Sequence, residues 1–158
     1  MATSTKKSWI SEHVTSVAKH TMSEPAIIIL AWRMAFWVVV VSLTVKFSSF
    51  PKLFKTLTPS ERPRPLSGEK ETQELLVRAL DRVLRLDFLT FTTICWKRAA
   101  VLYRFLRLDG QPARLMVGVR KTPEGKLDGH AWVEVDGIPI AERIITGYSI
   151  SLSYPPET

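Results

Sequence analysis

Cysteine, glycine and acidic side chains are all in short supply in this chain, and each shortage excludes something. Cys95 is the only cysteine among 158 residues, which rules out an internal disulfide framework and fits a reducing compartment. The seven glycines are scattered, so no phosphate-cradling loop or dinucleotide fingerprint is present. No Cys/His spacing suits zinc, and neither a cofactor nor a metal is expected. Asp and Glu total 15 against 22 Lys and Arg, a net charge of +7. That balance favours an acidic peptide or a membrane surface. Nucleic acid is not expected as a partner, because the basic residues are spread over several helices without interleaved aromatics. An export signal is also lacking: Lys6 and Lys7 are followed by a polar, amphipathic stretch instead of an apolar one. The expected compartment is the cytoplasm, with membrane association through residues 26–47.

What is present is a hydrophobic content of 46%, enough for an ordinary folded domain. Residues 8–21 can form a short helix with Ile10, Val14 and Val17 on one face. Pro25 suits the first turn of a second helix over residues 26–47. This helix is long enough to span a bilayer, which takes roughly 20 apolar residues. Arg33 lies inside it, and a central arginine costs about 2.5–3.5 kcal/mol on insertion scales. Lys6, Lys7 and Lys19 precede it and Lys46, Lys52 and Lys55 follow it, so the charges give no orientation. The expectation is a helix packed on the domain or lying in the membrane interface, with Arg33 facing protein or headgroups; spanning is the alternative. Pro51, Pro59, Pro63 and Pro65 mark residues 49–67 as a linker without a continuous helix. The division is therefore an N-terminal helical region, 1–66, and a second domain, 67–158.

Ser67 can cap a helix whose apolar stripe is Leu75, Leu76, Ala79, Leu80, Val83 and Leu84. After a break near Asp87, Thr92 and Thr93 are cap candidates for a helix carrying Cys95, Ala99, Leu102 and Leu106 on one face. Lys97, Arg98, Arg104 and Arg107 fall on its other faces, and Gly110 is its left-handed cap. Alternation then predicts strands around Leu115, Val117 and Val119, through His130–Val135, from Ile138 to Ile145, and a short edge strand from Tyr148 to Tyr154. Helices first and an antiparallel sheet afterwards is an α+β order.

A thiol at a helix start facing an imidazole on a strand is the layout of a nucleophile–base pair, since N–H groups of a helix terminus and an imidazolium both stabilise a thiolate. Such a pair needs a third group to orient the imidazole. The hairpin after His130 selects it. A two-residue turn at Asp136-Gly137 sets His130 opposite Arg143. A three-residue loop, Val135-Asp136-Gly137, with glycine in a G1 bulge sets Trp132 opposite Ile140 and His130 opposite Glu142. The turn sequence permits both; we expect the second, which puts a carboxylate beside the imidazole. Trp132 shares the face of His130 and is a candidate for roofing the ring and touching substrate. Singly these residues have plainer roles, a small buried thiol, a satisfied strand histidine, a surface carboxylate and a packing indole; together they form a Cys95–His130–Glu142 site.

The stretches Cys95-Trp96-Lys97-Arg98-Ala99, Leu106-Arg107-Leu108-Asp109-Gly110, Leu115-Met116-Val117-Gly118-Val119-Arg120 and Gly129-His130-Ala131-Trp132-Val133-Glu134-Val135-Asp136-Gly137 resemble the lasso-peptide leader peptidases. These are transglutaminase-like cysteine peptidases related in layout to papain. The resemblance covers about residues 70–145. It implies an α+β core in which a cysteine-bearing helix packs on an antiparallel sheet, behind N-terminal hydrophobic helices. It implies removal of the leader from a ribosomally made precursor, so that an ATP-dependent cyclase can close a macrolactam on the freed amine. The implied partners are the precursor leader peptide, a separate leader-recognition protein and that lasso cyclase. The implied triad is Cys95, His130 and the position of Glu142, where the family usually has aspartate. Another acyl transfer on the same fold, or a non-catalytic membrane-attached scaffold, are the alternatives.

Overall fold

The computed structural model describes residues 24–47, 50–59, 69–85, 94–142 and 145–156. The anticipated helix over residues 8–21, the caps at Ser67, Thr92 and Thr93, the break near Asp87 and the position of Arg143 lie outside them.

Among the described residues four helices come first: α1 (Glu24–Phe47), α2 (Phe50–Leu57), α3 (Glu69–Leu84) and α4 (Ile94–Leu108). Four strands follow: β1 (Ala113–Lys121), β2 (Leu127–Val135), β3 (Ile138–Pro139) and β4 (Ser149–Tyr154). The strands form one antiparallel sheet in the order β3-β2-β1-β4. This is the α+β arrangement that the order of sequence patterns predicts.

Helix α4 is the centre of the molecule. One side packs on β1 and β2, and the other meets α1 and α3. Covered on both sides, it buries Val101, Leu102, Tyr103 and Leu106 almost completely. Coverage also explains a departure from expectation: Lys97, assigned to an outer face, is fully buried. The helix ends as its sequence requires. Gly110 adopts φ 91°, Gly110 N–H donates to the Arg107 carbonyl at 3.2 Å, and Gln111 N–H to that of Leu106 at 3.0 Å. These two bonds are a Schellman cap. Buried Gln111 then donates to Asp109 and accepts from Gln73 of α3, both at 2.7 Å, which ties the helix end to its neighbour.

Helix α1 places Met34, Val38 and Val41 in the same core as Leu80 of α3 and Leu102 of α4. Arg33 reaches back to α4, its guanidinium 5.8 Å from the ring centre of Phe105. Helix α2 corrects the linker reading. A proline breaks a helix only where its missing N–H is needed, and Pro51 is the second residue of α2, in the first turn. Arg104 of α4 donates to the Thr56 and Leu57 carbonyls at 3.0 and 3.1 Å, satisfying the C-terminal end of α2, and lies 3.7 Å over the Trp37 ring. Burial, with Arg33 nearby, holds this guanidinium below its usual pKa.

The third strand is also shorter than expected. In place of a run from Ile138 to Ile145, pairing ends after Pro139. Pro139 brings no N–H to the ladder, and two residues on, Ala141 turns into the left-handed region at φ 56°.

Candidate active site

The hairpin between β2 and β3 sets the register from which Glu142 departs. Val135 pairs with Ile138 and Glu134 with Pro139, leaving Asp136-Gly137 as a two-residue loop. Their φ values of 52° and 75° are both positive, the requirement of a type I′ turn, which Asp-Gly satisfies well. The expected three-residue loop with its G1 bulge is therefore not formed. Continued in this register, Glu142 would face Ala131 and point away from His130. It does not, because the strand stops. Ile140 N–H still reaches the Val133 carbonyl at 2.9 Å, and then Ala141 redirects the chain. A left-handed alanine costs about 1–2 kcal/mol. The turn brings Glu142 Oε2 to 3.2 Å from His130 Nε2. The carboxylate thus reaches the imidazole by a kink, not by strand register.

The other oxygen of Glu142 belongs to α4. Arg98 Nη1 lies 2.9 Å from Glu142 Oε1, and Arg98 Nε lies 2.8 Å from Asp81 Oδ1 of α3. Arg98 and Glu142 are both largely buried, with side chains 19% and 17% exposed, so this pair is poorly screened by water. The chain Asp81–Arg98–Glu142–His130 therefore ties two helices to β2. The sequence reading assigned Arg98 only to another face of the helix. One signal was available: Arg98 stands one turn beyond Cys95, on the helix that carries the candidate nucleophile.

His130 is held on its flat sides as well. Trp132 stacks on it with ring centroids 6.1 Å apart and planes 16° from parallel, and Tyr148 lies at 5.6 Å. Trp132 is 3% exposed and donates its indole N–H to Glu134 Oε1 at 2.8 Å. Its contacts are those of a support for the imidazole. Gly118, opposite His130 on β1, makes room for this stack: a Cβ there would come within 2.9 Å of the Trp132 ring and 3.0 Å of Tyr148 Cβ.

Tyr148, which the sequence reading took only as the start of an edge strand, is fixed by Asp128 and Arg120. Its hydroxyl donates to Asp128 Oδ2 at 2.8 Å, and the Arg120 guanidinium sits 4.6 Å over its ring. That hydroxyl bond, together with Arg120, holds the Asp128 carboxyl below its ordinary range. Burial raises the Tyr148 phenol, and the bond to Asp128 and the nearby Cys95 add to the rise.

Cys95 is the second residue of α4 and is half-buried. It lies within electrostatic reach of Tyr148, whose ring borders His130, and one helical turn from Arg98. The structure thus joins His130 to Glu142 directly and carries Cys95 on the helix that supplies Arg98, with no thiol–imidazole hydrogen bond among the described residues. The Glu142 carboxylate can only accept, so Nε2 of a neutral imidazole carries the proton and Nδ1 is left as base. At the start of α4 the first-turn N–H groups lack helical acceptors and suit a developing oxyanion. No cluster of His, Cys, Asp and Glu suited to a metal occurs among the described residues.

Residues 37–150 match the transglutaminase-like superfamily. The match begins inside α1 and runs into β4, taking in every site residue described above. No curated protein and no solved structure matches the chain. The chain belongs to the transglutaminase-like superfamily.

Proposed function

We propose that this transglutaminase-like chain is a cysteine peptidase that removes the leader from a ribosomally made lasso-peptide precursor before macrolactam closure. The observation that carries the reading is the His130–Glu142 contact, braced by Arg98 of the helix whose second residue is Cys95. The motifs on α4, β1 and β2 that resemble the leader peptidases supply the substrate class.

The proposed reaction runs as follows. His130 Nδ1 takes the thiol proton, and the Cys95 thiolate attacks the scissile carbonyl. Electrons shift to the carbonyl oxygen, which the first-turn N–H groups of α4 stabilise. The intermediate collapses as the imidazolium protonates the leaving amine, which departs as the freed N-terminus of the core peptide. A thioester to the leader remains. Water, deprotonated by His130, cleaves it and restores the thiol. Glu142 steadies the imidazolium in both halves. Its extra methylene relative to aspartate is accommodated by Arg98, which anchors one oxygen and leaves the other for the imidazole.

The same reading places the protein on a membrane surface. Helix α1 contains a stretch, Ile27–Val45, long and apolar enough to cross a bilayer. Spanning would strip Met34, Val38 and Val41 from the core. The opposite face exposes Ile28, Ile29, Trp32, Phe36, Val39, Leu43 and Phe47. From Pro25 to Ser60 the sequence holds Arg33, Lys46, Lys52 and Lys55 and no acid, which suits an anionic lipid surface.

The test is mass spectrometry of a synthetic lasso-precursor peptide, incubated with the protein and a leader-recognition protein. Leader release by wild type and none by Cys95→Ala is the expected result. Release by neither, with partner binding intact, supports a non-catalytic scaffold instead. Release by both removes Cys95 as the nucleophile.

A further inference from the structure

We propose that the outer edge of β4 is the docking site for the peptide substrate, which adds to the sheet as an extended strand running away from the active site. This rests on the reading that the chain acts on a peptide. Strand β4 ends the sheet order, so among the described residues its outer edge has no strand partner. Native edges are commonly blunted by charge or proline. The β4 sequence, Ser-Ile-Ser-Leu-Ser-Tyr, has neither, and it exposes Ile150 and Leu152 at 59% and 36%. Its one irregularity is an extra residue where the pairing with β1 shifts between Val117 and Gly118.

Position gives this edge its meaning. Tyr148, the residue before β4, borders the His130 ring, so the strand starts at the catalytic corner. At its other end, Phe54, Lys55, Leu152, Tyr154 and Pro156 line a largely apolar groove of about 660 Å³ between α2 and β4. The Phe54 and Tyr154 rings stack at 4.5 Å to form its wall, and Thr58 fixes the Tyr154 hydroxyl at 3.0 Å. At about 3.3 Å per residue, the six residues of β4 separate groove and scissile bond by roughly 20 Å. A bound peptide therefore places an apolar side chain in the groove roughly five to seven residues from the bond that is cut. Main-chain hydrogen bonds along β4 supply affinity, and the groove supplies selectivity.

The experiment is amide hydrogen exchange on the full-length Cys95→Ala protein, with and without a synthetic precursor peptide, beside a fluorescence-polarisation titration of that peptide. Expected are slowed exchange at Ile150–Ser153 and affinity at least ~10-fold weaker for Leu152→Lys, an exposed position whose change leaves the core intact. Alanine scanning of the peptide is expected to find one apolar residue whose loss costs affinity in wild type and costs nothing further in Leu152→Lys. Protection elsewhere, or unchanged affinity for Leu152→Lys, overturns the edge site. No binding at all overturns it too. Whether the wild-type protein cuts the same peptide is scored separately and decides the peptidase reading alone.

Discussion

Helices α1 and α4 pack against each other, and both carry long apolar sequences interrupted by cations, yet they dispose of these side chains differently. In α4 the apolar residues beyond the first turn are enclosed by the sheet on one side and by α1 and α3 on the other. Its cations serve inside the protein. Arg98 bridges Asp81 and Glu142, while Arg104 satisfies the last carbonyls of α2. In α1 one face joins the core and the other leaves Trp32 74% and Phe47 73% exposed. Apolarity alone thus does not tell whether a helix is enclosed; that depends on how many sides the rest of the chain covers. In the proposed function the enclosed helix carries the chemistry, because a nucleophile and its positioning ion pair need fixed, dry neighbours. The half-covered helix presents a surface.

Changes on the two helices should separate these roles. The largest effect falls at the start of α4. Cys95→Ala should lower peptide cleavage by on the order of 10³-fold or more with thermal stability kept, as paired activity and melting measurements would show. Should stability collapse as well, the thiol is a core group and not a nucleophile. Next comes the inner face of α1. Met34, fully buried, should cost about 2–4 kcal/mol on truncation to alanine, read by chemical denaturation. A negligible loss would make α1 an appendage. Arg98→Met should lower kcat by about 10²-fold with KM little changed, because it releases Glu142 without touching substrate. An equal loss in kcat and gain in KM would place Arg98 in substrate binding.

The smaller effects lie on exposed groups. Phe36→Ser on the outer face of α1 should change stability by less than about 0.5 kcal/mol. It should nonetheless reduce co-sedimentation with anionic vesicles relative to wild type, and equal sedimentation would remove the membrane surface as its occupant. Tyr148→Phe deletes the bond that does most to depress Asp128, so that carboxyl should titrate closer to its ordinary range in a carbon-detected NMR titration. The sign follows from linkage. A carboxyl with a lowered folded pKa adds stability above its unfolded pKa and loses it as the pH falls through the folded value. The variant should therefore show a shallower loss of stability with acid. An unmoved Asp128 would assign the depression to Arg120 instead.

Much of this protein was determined by sequence alone. The long apolar run set α1, the periods of the apolar residues set α3, α4, β1, β2 and β4, Gly110 set the end of α4, and Asp136-Gly137 marked a hairpin. These features arise between residues a few positions apart, so local sequence encodes them. The tertiary structure decided the rest. It selected the two-residue turn over the three-residue loop, and it carried Glu142 to His130 through the kink at Ala141. It also gave Arg98 its partners, one of them 44 residues away, and left one face of α1 outside the core. Those outcomes depend on which distant segments come together and which sides they cover. Periodicity cannot state that, because it records that a face is apolar and not what will lie against it.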